Sequence, residues 1–376
     1  MPDPFDRILG QPQVRRYLRG AVAQNKVGHA YLFTGMAGSN KTLAAYALAQ
    51  SIVCAQQGCG NCDSCKRVLR RSHPDVHYYA PEGSGGYLIE QIREIVNDVP
   101  LAPIQAAAKV YIIDRADLLG IQAANAFLKT LEEPPEGVHL ILLGRTKASV
   151  LSTIVSRCQV VPFRNIPASE AKGIVAQNTG CTPLQAAVGI QACGGSISKA
   201  IEFVKSSERF EFRQRVLQVL ESLRLADDLD ILDYATELLE RAQAPLDLVR
   251  ANLENDLASS ADFMAAAAIR QIEHRNKRAL SAKSTEMLSQ TTAIMRSWLR
   301  DVLMVCAGSP ELVINEDVAI AINQTAAYTC EPAVARALAA ADLADEAIRY
   351  NVSPETCIDV LLFTIREELY GARSAC

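Results

Sequence analysis

The sequence predicts an α/β domain built on a parallel sheet, followed by a run of helices without strands. Three observations predict it. Apolar segments of strand length alternate with helical segments as far as about residue 165, the pattern of a parallel sheet covered on both faces. The first of these segments passes into a helix through the small-residue loop of YLFTGMAGSNKT, Tyr31 to Thr42. Beyond residue 165 the strand pattern stops and helical periodicity continues to the end.

With 376 residues the chain is long enough for two or three domains and can bury ample core. No segment approaches the roughly 20 consecutive apolar residues of a membrane span. The start, MPDPFDRILGQ, lacks the basic and apolar regions of a signal peptide. The expectation is a cytoplasmic chain with no membrane partner. A net charge of -4 and a pI of 5.8 exclude a globally basic nucleic-acid binder, so any DNA contact is local. Eleven cysteines, an odd number without an export signal, point to a metal rather than disulfides.

Within residues 5–29, Val14, Leu18, Ala21 and Val22 recur at helical spacing, and His29 reads as a packed or capping histidine before the first strand. That strand, Tyr31-Leu32-Phe33, runs into the loop. The phosphate-binding loop of nucleoside triphosphatases reads GxxxxGK[ST]. Its amides and the following helix N-terminus hold the phosphates, its lysine reaches the terminal ones and its hydroxyl holds Mg²⁺. Gly35, Gly38, Lys41 and Thr42 fit, but Asn40 stands where glycine precedes the lysine. Asparagine tolerates positive φ better than other residues with a side chain, so the loop can close, but the side chain is expected to project where phosphate packs. ATP or ADP with Mg²⁺ is therefore expected to bind weakly if at all.

After the next helix come Cys54, Cys59, Cys62 and Cys65, spaced Cx4Cx2Cx2C, with Gly58 and Gly60 permitting tight turns. Four thiolates complete a tetrahedron around Zn²⁺ and leave no position for water, so the expected zinc is structural. Lys66, Arg67, Arg70 and Arg71 follow on a helix and read as a solvated face.

HPDVHYY (73–79) gives a second strand, and the EGSGGY loop leads to a helix striped by Ile89, Ile92, Ile95, Val96 and Val99. KVYII is a buried strand ending at Asp114, where an acidic residue completes the Mg²⁺ site of phosphate-loop ATPases. Arg115 takes the place of the glutamate that orients the attacking water; it cannot act as a base and is expected close to Mg²⁺. QAANAFLKTLEEPPEG (122–137) is a helix stopped at Pro134-Pro135, HLILLGRT (139–146) a strand ending at Thr146, and VLSTIVSRCQVVPF (150–163) carries Ser156-Arg157-Cys158 before a last short strand. Helices then run from Ser169 to Thr179, from the cap Thr182-Pro183 to Gly194-Gly195, and from Ser196. From about residue 209 the pattern is helical throughout, with breaks near Gln243-Pro245, Gly308-Pro310 and Val352-Pro354, and Trp298 reads as a core or interface anchor.

FDRILGQ, HAYLFTG, the four-cysteine insert, QIRE, ANAFLKTLEEPP, SRC, SWLRDVLM and INED together resemble the AAA+ clamp-loader family of the bacterial DNA polymerase III holoenzyme, over essentially the whole chain. The resemblance implies an AAA+ P-loop domain over 1–165 with the zinc insert at 54–65, a small three-helix lid over 166–208 and an all-α collar domain over 209–376. It implies that Arg157 is a finger reaching in trans into the ATP site of a neighbouring subunit, an effect of roughly 10³ to 10⁵ in rate. Active members carry a lid arginine where this chain has Ser198 followed by Lys199, and the residues around Thr146 differ from theirs. Asn40, Arg115 and Ser198 therefore imply a stator-like member whose own ATPase is absent or weak. The alternative is a catalytically active gamma/tau-like ATPase. The implied partners are gamma/tau- and delta-type loader subunits, the sliding clamp and primed-template DNA, with the polymerase chemistry in another subunit.

Overall fold

The five apolar strand segments assemble into one parallel sheet: β1 (Ala30–Thr34), β2 (Val76–Tyr79), β3 (Lys109–Ile113), β4 (Val138–Gly144) and β5 (Gln159–Pro162). The computed structural model describes residues 3–82, 86–261, 266–350 and 352–371; Gly83, Ser84 and Gly85 of the EGSGGY loop lie outside them. The strand order is β2-β3-β4-β1-β5. β1 and β3 are buried along their whole length, as strands covered on both faces must be. Leu32 lies beside Leu142 and Val160, and Tyr78 beside Ile112. Parallel strands send their following loops out at the same edge, so the phosphate loop, Asp114 and Thr146 leave one end of the sheet.

Alternation along the strands divides the core in two. Tyr31, Phe33, Val110, Ile112, Ile141 and Leu143 pack with α1 (Pro12–Ala23) and α2 (Lys41–Val53). Leu32, Tyr111, Ile113, Leu140 and Leu142 pack with α4 (Ile89–Asp98) and α5 (Ile121–Glu132). The short α3 (Asp63–Leu69) follows the cysteines, and α6 (Ser152–Val155) precedes β5. His29 is exposed rather than packed; its carbonyl accepts from the Leu140 amide at 2.7 Å and starts the β1–β4 ladder.

The chain folds as two units. The first takes the residues up to Gln177 together with Gly195–Ser198, and the second takes Asn178–Gly194 and everything from Lys199 on. Outside the sheet the helices are α7 (Ala168–Thr179), α8 (Pro183–Ala192), α9 (Ile197–Val204), α10 (Ser207–Ser222), α11 (Asp228–Ala261), α12 (Ala266–Cys306), α13 (Ala319–Ala326), α14 (Glu331–Arg349) and α15 (Pro354–Tyr370). Thr182 caps α8 reciprocally: its hydroxyl accepts from the Gln185 amide at 3.2 Å, and the Gln185 side chain accepts from the Thr182 amide at 3.0 Å. The second unit has its own core, in which Val216, Leu220, Leu238, Leu288, Leu299, Ile358 and Leu362 surround a fully buried Trp298. Among the described residues no helix is long and apolar enough to cross a membrane.

Two further sequence expectations fail here. Helix α11 runs through Pro245 instead of breaking at Gln243-Pro245. Proline removes one hydrogen bond and crowds the preceding turn, but Leu238, Leu239, Ala242 and Leu246 are buried on both sides of it, and tertiary packing outweighs local propensity. The expectation of a metal rather than disulfides also fails at Cys330, which is disulfide-bonded. A compartment argument concerns thiols in general and is blind to which of them the fold brings together.

Candidate nucleotide pocket and four-cysteine centre

The phosphate loop is shaped by glycines that have no room for a side chain. A Cβ on Gly35 would lie 2.9 Å from the Phe163 carbonyl oxygen; one on Gly38, at φ +80°, would lie 2.7 Å from the Gly195 carbonyl oxygen. Asn40 adopts φ 70°, ψ 21° and caps α2, the left-handed conformation that its place in the motif requires. Its side chain does not stand free where phosphate would pack. The amide nitrogen donates to the Leu9 carbonyl at 2.8 Å, and the amide oxygen accepts from the Ser198 hydroxyl at 2.8 Å. Lys41 Nζ donates to the Gly35 carbonyl, to the Met36 carbonyl at 2.9 Å and to Ser39 Oγ at 3.3 Å. Burial pushes the Lys41 ammonium down from its ordinary value, against the attraction of Asp114 and Asp117. Thr42 follows in the first turn of α2.

Asp114 leaves β3 with its carboxylate already engaged: it accepts from the Tyr78 hydroxyl at 2.7 Å and from the Arg115 amide at 2.9 Å. Burial, with Asp114 beside it, holds the Tyr78 hydroxyl protonated, so it remains a donor. Arg115 sits at φ 51° and turns its Nε to Asp117 at 3.3 Å. Thr146 is exposed and closes a local turn: its hydroxyl accepts from the Ser149 amide at 3.1 Å. Lys199 is taken by Glu286 at 2.7 Å. Arg157, just after α6, has a side chain 29% exposed. It donates to Glu132 at 2.6 Å, to the Thr153 carbonyl at 2.8 Å and to Ser156 Oγ at 3.2 Å.

Sequence reasoning missed several residues of this end of the sheet. Gln11, buried, donates to the Ser39 carbonyl at 3.2 Å and the Arg164 carbonyl at 2.8 Å. Asp117 and Glu132 engage the two singled-out arginines. Tyr78 could have been found from register: it pairs with Ile112, and Asp114 lies two residues on, on the same side of the chain. Gln11 and Glu132 stood unexamined inside FDRILGQ and LKTLEEPP.

The four cysteines converge. All four Sγ atoms lie within 4.8 Å of one another, with 3.7 Å between Cys54 and Cys59, 3.7 Å between Cys54 and Cys62, and 3.9 Å between Cys59 and Cys65. A tetrahedron with Zn–S bonds of about 2.3 Å has edges of about 3.8 Å, so the donor set fits zinc. Backbone amides point at the sulfurs from Gln56 to Cys54 at 3.4 Å, from Gly60 to Cys65 at 3.3 Å and from Cys65 to Cys62 at 3.4 Å. Burial alone would push the Cys54 thiol up, but amides around it outweigh that and bring it down to about 6. The side chains supply four ligands and no open position, which suits a structural ion. In α3, Arg67 pairs with Asp63 at 2.7 Å, and Lys66 and Arg70 are exposed.

Residues 10–167 match the family described as DNA polymerase III, delta subunit. The chain is 32% identical over 217 residues to DNA polymerase III subunit delta' of Bacillus subtilis, covering 57% of this chain and 65% of that protein. It is 31% identical over 275 residues to DNA polymerase III subunit tau of the same organism, covering 66% of this chain and 48% of that protein. It thus spans about half to two thirds of the length of these relatives. A DNA polymerase III gamma subunit-related protein from Thermotoga maritima superposes with a TM-score of 0.47 at 18% identity, over 93% of this chain and 99% of that one. The matched stretch contains the Gly35–Thr42 loop, the four cysteines and Arg157, and over it the chain is similar to DNA polymerase III subunits of the delta' and tau types.

Proposed function

We propose that this chain is a delta-prime-type, stator-like clamp-loader subunit. It offers Arg157 to the ATP site of a neighbouring subunit, turns over little or no ATP itself, and helps place the sliding clamp on primed DNA. In this reading 1–165 is the AAA+ domain with a structural zinc in its insert, 166–208 a lid, and 209–376 the collar through which gamma/tau- and delta-type subunits associate. Sequence identity does not separate the types, at 32% to a delta' and 31% to a tau. What carries the reading is a contrast in how the side chains are held: the bonds of Asn40, Asp114 and Arg115 are partly buried, whereas the bonds that hold Arg157 to Glu132, Thr153 and Ser156 are all exposed.

The energetics favour release of that arginine to a partner. Its ion pair with Glu132 is largely exposed, and such pairs contribute only about 0–1 kcal/mol. A finger that accelerates phosphoryl transfer by roughly 10³ to 10⁵ stabilises the transition state by about 4–7 kcal/mol. The Glu132 contact is therefore a resting place that a neighbour's phosphates can outcompete.

The rival reading, a gamma/tau-like ATPase, draws on the survival of Lys41, Thr42 and Asp114. Titration of the isolated chain with ATP and Mg²⁺ separates the two: weak binding without DNA-stimulated hydrolysis is expected, and tight binding with brisk turnover establishes the rival. In a loader reconstituted with its partner subunits, Arg157→Ala should leave assembly intact and slow hydrolysis at the site it serves by on the order of 10³. An unchanged rate removes Arg157 from that role.

A further inference from the structure

We propose that Asn40 is a positioning residue that closes the phosphate loop with its own side chain, holding three separate segments of the first unit together without a bound phosphate. Those segments are the one ending at Leu9, the loop itself, and the first residues of α9. Asn40 is 8% exposed, and both ends of its carboxamide are used: Nδ2 reaches the Leu9 carbonyl and Oδ1 the Ser198 hydroxyl, each at 2.8 Å. The orientation of the amide follows from chemistry, because a carbonyl only accepts and so must face the nitrogen. The closure has a second, independent mark. Gly38 approaches the Gly195 backbone so closely that a methyl group there would clash, and Gln11 joins the Ser39 carbonyl to that of Arg164.

A glycine at position 40 would supply the same positive-φ backbone and neither of the side-chain bonds. The asparagine therefore adds what a glycine lacks: a bridge from the loop to residues 31 positions before it and 158 after it. In this chain the side chain does by covalent attachment what a ligand would do by binding, and nucleotide has little left to organise.

The inference rests on reading this pocket as a degenerate nucleotide site, and hydrogen–deuterium exchange on the full chain tests it separately. Asn40→Gly should speed exchange at least tenfold at residues 9–11, 38–44 and 195–199, with β4 and α5 unchanged, because the backbone remains unstrained. Ser198→Ala, a milder change, should speed 195–199 alone. Saturating Mg-ADP should leave the wild-type pattern as it is. Unchanged exchange in both variants, or wild-type protection of the loop that rises tenfold with Mg-ADP, overturns the proposal. ATP turnover by the isolated wild-type chain would instead sink the stator reading and leave the exchange result to be judged by itself.

Discussion

Asp98 lies at the end of β3 opposite Asp114, and it shows how a buried charge is tolerated in this domain. Its carboxylate accepts from Lys109 Nζ at 2.9 Å and from the Tyr111 hydroxyl at 2.6 Å, with His77 at 3.7 Å. Burial alone would push the Asp98 carboxyl up, but Tyr111, Lys109 and His77 together hold it below the ordinary carboxylate range. A depressed folded-state value means the contribution to stability is complete above the unfolded value and is lost as pH falls through the folded one. Asp98→Asn should therefore cost the first unit roughly 3 kcal/mol near neutrality, since it leaves Lys109 buried without its counter-charge. In urea unfolding, the gap between wild type and variant should narrow below about pH 4; a gap constant to about pH 3 would exclude the carboxylate as its cause. Neither this cluster nor the Asn40 bridge was legible in the sequence. Local composition marked Asn40 as a departure from the motif, but its partners lie far along the chain, and only the fold could tell a bridge from an obstruction.

At the scale of elements the sequence was legible wherever the signal was local. The four thiols fall within twelve positions and needed spacing alone; the capping pair Thr182 and Gln185 is three residues apart; and α12 ends at Cys306, just before Gly308 at φ +72°. Pro245 misled because its local signal was overruled by distant packing. The residue is exposed within α11, so replacing it opens no cavity. Pro245→Ala restores a backbone donor and relieves the clash one turn back, and should stabilise the second unit by up to about 3 kcal/mol. Thermal unfolding would register this as a raised midpoint; no change would place the proline at a true break between two helices.

At the scale of the molecule, each unit has a core of its own, and this predicts two unfolding transitions rather than one. The four-cysteine centre belongs to the first. Gly58 packs on Pro4, where a Cβ would lie 2.7 Å from its ring, and Pro4 and Phe5 are buried. From there the chain runs directly to Leu9 and Gln11 and so to the phosphate loop. Loss of the proposed zinc should thus loosen the N-terminal segment along with the cysteines. In the second unit SWLRDVLM and INED meet in one buried polar network. Arg213 donates to Asp317 at 2.6 Å and Asn315 at 2.7 Å, and Asp301 accepts from the Ile314 amide at 3.0 Å, the Asn315 amide at 2.7 Å and the Asn315 side chain at 2.8 Å. Asp301→Ala strands those donors and the fully buried side of Arg213's network, a loss of roughly 3 kcal/mol. In calorimetry, chelation of the proposed zinc should lower one transition and Asp301→Ala the other, each leaving its counterpart in place. If both transitions move together under either change, the two units unfold as one cooperative body, and the separateness of their cores has no thermodynamic consequence.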